Sequence, residues 1–120
     1  MWTIQQEIGE FDAQRFTSLG PGYLALNLAG EAGELANFVK KLWRRDSAIG
    51  GPEGFGVLGD GDRAQVADEL ADIAILAMVL ANHLDIDVES EARKKLAVID
   101  QRLQAGYYGQ EAATAVPPSA

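Results

Sequence analysis

The stretch VADELADIAILAMVLANHL, residues 66–84, decides the fold. Val66, Leu70, Ile73, Leu76, Ala77, Leu80 and Leu84 recur at helical spacing. A helix that is apolar almost all round belongs at the centre of a bundle or between two subunits. It cannot cross a bilayer, because its longest apolar run, Leu70 to Ala81, has 12 residues and is broken by Asp72. Asp62 followed by Gln65 reads as a capping box opening this helix, and Leu84 closes it.

The flanking segments read as helices too. Residues 22–45 carry Leu24, Leu28, Leu35, Phe38 and Leu42, a stripe with one vacancy filled by Glu31. Basic residues at 40–45 suit the carbonyl end of a helix dipole, so this helix is expected to stop near Arg45. Upstream, Ile4, Ile8, Phe11 and Phe16 mark a short helix over 2–17, ended by Leu19-Gly20-Pro21-Gly22. Downstream, Asp87 is a good N-cap, with Glu89 and Glu91 in the first turn, for a helix through Val88, Ala92, Leu96, Ile99 and Leu103 that Gly106 ends. Residues 46–62 hold six glycines and Pro52 and read as a surface loop. Within that loop Gly54 to Gly59 fits G-x-G-x-x-G, but no strand precedes it and Asp60 and Asp62 follow, which excludes a dinucleotide cradle. Residues 107–120 carry two prolines and no periodicity and read as a disordered tail. The expectation is one all-α domain over residues 1–106, a four-helix bundle.

Composition narrows the function. The chain has 120 residues, 48% of them hydrophobic, with 10 Lys plus Arg against 18 Asp plus Glu and a net charge of −8. That is one ordinary globular domain by size and makeup. The acidic balance, relieved only by the cluster Lys40, Lys41, Arg44 and Arg45, argues against a nucleic-acid partner. Without cysteine there is no disulfide framework, thiolate zinc site or cysteine nucleophile. The first residues lack the basic and apolar regions of a signal peptide, so a cytoplasmic protein with no membrane partner is expected.

Chemistry is concentrated in two acidic pairs, Glu31-x-x-Glu34 and Glu69-x-x-Asp72, each set among apolar residues. Residues three apart on a helix differ by about 60° in azimuth, so each pair projects from one face and the two pairs can oppose each other. Carboxylates withdrawn from water and crowded together must protonate or recruit cations. Lys40 and Lys41 lie at least a turn and a half beyond Glu34, and residues 64–84 contain no Lys or Arg. A hard divalent ion resolves the conflict: Mg²⁺, or Mn²⁺ in its place, takes carboxylate oxygen and water and needs neither His nor Cys. His83, near the carboxyl end of its helix, reads as a cap or packing residue, and a lone histidine disfavours a di-iron site. Trp2, Phe16 and Trp43 are candidates for stacking on a base, although aromatics at helical spacing more often fill a core.

The segment LNLAGEAGELANFVKKLWR, a long gap, and VADELADIAILAMVLANHLDIDVESEARKKL together resemble the MazG-like all-α nucleoside triphosphate pyrophosphohydrolases, whose mark is EExxE on one helix and ExxD on the next. The resemblance covers about residues 22–103. It implies Glu31, Glu34, Glu69 and Asp72 as Mg²⁺ ligands in a helical bundle completed by oligomerisation, as a homodimer or homotetramer. It also implies hydrolysis of the α–β phosphate bond of an NTP or dNTP. Glu34 is the candidate proton acceptor, and Lys95 and Arg102, with Lys41 and Arg44 weaker, are the candidate phosphate contacts. Three features depart from the pattern: Gly30 replaces the first acid of EExxE, Ile99 replaces an expected Asn after Lys95, and 34 residues separate Glu34 from Glu69. Gly30 keeps open an alternative, a non-catalytic metal- or nucleotide-binding sensor or partner subunit on the same scaffold. A third reading is a plain bundle whose acids pair with bases across a dimer interface.

Overall fold

The computed structural model describes residues 3–15, 20–50 and 58–106, with the side chains at 14–15 and 46–50 left aside. Among these residues there are four helices and no strand: α1 (Ile4–Arg15), α2 (Pro21–Gly50), α3 (Asp60–His83) and α4 (Val88–Gln104). The chain divides into two compact units, Met1–Asp85 with α1 to α3 and Ile86–Ala120 with α4. No helix among the described residues is long and apolar enough to cross a membrane. Trp2, Phe16, residues 51–57 and the expected tail over 107–120 lie outside the described residues.

In the first unit α3 is central, packing against both α2 and α1, as an all-round apolar helix should. α2 and α3 run antiparallel. Arg45 near the end of α2 pairs with Asp62 in the first turn of α3 at 2.9 Å, and Glu31 in mid-α2 meets Glu69 and Asp72 on α3. The buried apolar residues are Leu24 and Leu42 from α2 and Val79 and Ala81 from α3. Glu31 lies about 20° of azimuth from both Leu24 and Leu42, so α2 aims it into the packed seam.

Helix boundaries follow local chemistry, and two differ from the sequence expectation. α2 starts at Pro21, where a missing N–H costs nothing, and the Leu24 N–H donates to the Gly20 carbonyl at 3.1 Å. It runs on to Gly50 rather than stopping near Arg45, because Asp46-Ser47-Ala48-Ile49 contains no breaker before Gly50-Gly51-Pro52. The loop between α2 and α3 is therefore shorter than the expected 46–62. α3 begins at Asp60 with Gly59 at the N-cap and no side-chain cap. The expected Asp62–Gln65 capping box does not form, since Asp62 already sits inside the first turn and accepts from Arg45.

α1 has a capping box of its own: Thr3 Oγ1 accepts from the Gln6 N–H at 3.2 Å and Gln6 Oε1 from the Thr3 N–H at 2.8 Å. In the second unit Asp87 caps α4 as expected, accepting from the Ser90 N–H at 3.2 Å. Glu89–Arg93 and Glu91–Lys94 pair along its exposed surface, and Gly106, at φ 71°, takes the left-handed conformation that ends it.

Candidate functional site

Two helices build the site. α2 supplies Glu31, and α3 supplies Glu69 and Asp72, one turn apart. Each offers a carboxylate oxygen, and the three oxygens lie within 4.8 Å of one another. Glu31 and Glu69 are half-buried and Asp72 is exposed, so the group is closed on the seam side and open to solvent on the other. No ion pair among the described residues involves any of the three.

The electrostatics follow from this crowding. The Glu31 carboxyl is held above the ordinary glutamate range, chiefly by its hydrogen bond with Glu69. Burial comes next, followed by the negative charges of Glu69, Asp72 and Asp68. Two carboxyl groups in contact favour sharing a proton over ionising together. Glu69 Oε2 is buried and has no hydrogen-bond partner, which is costly for a carboxylate oxygen.

A divalent cation fits these residues. The donors are all carboxylate oxygen, the Glu69 Oε2 atom lacks a partner, and Asp72 is exposed. An all-carboxylate donor set is one that hard divalent cations accept.

Of the four acids singled out in the sequence, the structure gathers three. Glu34, one turn beyond Glu31, is exposed and outside the group, since it stands about 80° round α2 from Leu24. Lys41 and Arg44 are exposed on α2, and Lys41 is ten residues beyond Glu31, about 15 Å along the axis. Lys95 is exposed and Arg102 half-buried, both on α4 in the second unit. Trp43 is half-exposed near the end of α2. His83 takes no part in the acidic group and pairs instead with Asp12 of α1. A residue absent from the sequence reading is Asp68, whose charge reaches Glu31. Its signal was available: Asp68 and Asp72 are four apart and share one side of α3.

The chain belongs to the family of the Gene 37 protein of Mycobacterium phage L5, with which it is 32% identical over 87 residues, covering 72% of this chain and 69% of the relative. No family model matches it, and no solved structure does.

Proposed function

We propose that the protein is a Mg²⁺-dependent nucleoside triphosphate pyrophosphohydrolase of the MazG-like type, cleaving (d)NTPs to the monophosphate and pyrophosphate. The observation that carries this reading is the convergence of Glu31, Glu69 and Asp72 with one buried oxygen unpartnered. It is supported by the resemblance of the two acidic helices to that superfamily.

Glu31, Glu69 and Asp72 hold the cation. When bound, Mg²⁺ supplies neutralisation of phosphate charge and acidifies coordinated water. The α2–α3 seam excludes water from the back of the site, where Glu31 and Glu69 are half-buried, and leaves Asp72 facing the triphosphate. Glu34, exposed on the next turn of α2, takes the proton of the attacking water on a carboxylate oxygen. Lys41 of α2 contacts the phosphates, and a second copy of the chain completes the bundle.

One observation favours the second reading, a metal- or nucleotide-binding sensor. Gly30 brings no carboxylate, and Glu34 lies outside the gathered acids, an arrangement that suits binding without turnover. The deciding experiment is a panel of ribo- and deoxyribonucleoside triphosphates assayed for pyrophosphate release with Mg²⁺ or Mn²⁺. Release that disappears in Glu69→Gln supports the enzyme. Metal-linked stabilisation without turnover supports the sensor, and neither result leaves only a structural bundle.

A further inference from the structure

α4 carries an apolar face that its own chain leaves open. Val88, Ala92, Leu96, Ile99 and Leu103 follow one another at helical steps and line one side of the helix. No residue of α4 is buried: Val88 and Ile99 are half-buried, Ala92 is exposed, and Leu96 and Leu103 are 66% and 38% exposed. A helix of 17 residues draws most of its stability in water from packing such a face.

The charges beside the stripe indicate what covers it. Glu89, Arg93 and Asp100 run along one edge, about 60–100° from the centre of the stripe, and Glu91, Lys95 and Arg102 run along the other. Each edge holds both signs, so a chain of net charge −8 can meet itself here without a field of one sign opposing it. Within the helix Arg93 pairs with Glu89 at 3.0 Å and Lys94 with Glu91 at 3.1 Å. Among the described residues Asp100 has no ion pair and accepts only from the Gln104 side-chain amide, at 3.0 Å.

We propose that α4 pairs antiparallel with α4 of a second copy, about a two-fold axis level with the step from Ala97 to Val98. That register sets Ala92 against the partner's Leu103 and Leu96 against the partner's Ile99, so small meets large along the seam. On the first edge Arg93 and the partner's Asp100 differ by about 3 Å in height. Asp100 thereby gains a cation, and Glu89, Arg93 and Asp100 join in one network. On the second edge the partner's Arg102 falls midway between Glu91 and Lys95, so attraction and repulsion offset each other. A parallel pair would set Ala92 against Ala92, leaving a gap in the seam, and would align the two helix dipoles instead of opposing them. The seam is about 25 Å long and lies at the small end of specific interfaces, so pairing depends on concentration. It names the element by which a second copy attaches and stands whether or not the acidic group binds metal.

The chain has no cysteine, so introduced thiols report this contact without background. Full-length Ala92→Cys and Leu103→Cys are oxidised separately and as a mixture. The proposal predicts a disulfide-linked dimer from the mixture and little from either variant alone. Adding Leu96→Glu, which places a charge in the seam at an exposed, helix-tolerant position, abolishes the cross-link. In sedimentation of cysteine-free chains, Arg93→Asp and Asp100→Arg each weaken pairing about three- to tenfold, and the two together restore it. Cross-linking of Ala92→Cys with itself, equal cross-linking in all three samples, or none in the mixture overturns the proposal, as does a double charge exchange that fails to restore pairing. Absent cross-linking together with a mass lowered by Leu96→Glu would assign the stripe to another surface of the second copy.

Discussion

At the scale of single residues, Glu31 and Glu69 are in conflict until a cation or a proton separates their charges. The folded state holds a proton on Glu31 more tightly than the unfolded chain does. This group's contribution to the stability of the metal-free protein is therefore present in acid and is lost as pH rises through and just above the carboxylate range. Magnesium acts in the opposite sense, since it displaces that proton and binds better as pH rises. Thermal unfolding at pH 4.5 and 7.5 with and without Mg²⁺ should show the larger metal-induced rise at pH 7.5; an equal rise at both would contradict it. Glu69→Gln removes the unpartnered charge, so the metal-free variant should gain on the order of 1 kcal/mol in denaturant unfolding while losing its response to metal. A plain bundle held by carboxylate–base pairs would lose stability instead. Gly30 is an interior helical glycine with open space around its missing Cβ, and Gly30→Ala should stabilise the protein by about 0.5–1 kcal/mol without changing metal binding.

At the scale of elements, legibility depended on whether local chemistry acted alone. Asp87 could be read as a cap because, among the described residues, nothing else competes for its carboxylate, and Asp87→Ala should cost about 1 kcal/mol, seen as lost hydrogen-exchange protection at the start of α4. Asp62 looked equally suited to capping, but Arg45, 17 residues earlier, draws it into a tertiary ion pair that no local pattern announces. The end of α2 was misplaced for a related reason: basic residues mark a favourable last turn but do not stop a helix, whereas glycine and proline do. Glu31 was legible as the one acid filling a gap in an apolar stripe. The exposure of Glu34 was foreshadowed by its offset from that stripe, although the three-residue spacing of the pair obscured it. The Gln5–Asn82 and Asp12–His83 contacts join residues more than 70 positions apart, and nothing in either local segment signals them.

At the scale of the whole molecule, apolar side chains remain open on the first unit, among them Tyr23 and Leu26 on α2 and Leu70 and Ile75 on α3. Exposed apolar surface of this kind favours self-association. Light scattering coupled to gel filtration should give a mass of two or four times 12.8 kDa; a monomer at every concentration tested would remove oligomerisation from the account. The central claim is narrower: Glu31, Glu69 and Asp72 together hold a hard divalent cation. Calorimetric titration of Mn²⁺ and Mg²⁺ into the intact chain and into Glu69→Gln tests it most directly. The account predicts saturable uptake at or below millimolar concentration that the variant loses, and no uptake in that range, or equal uptake by both proteins, would contradict it.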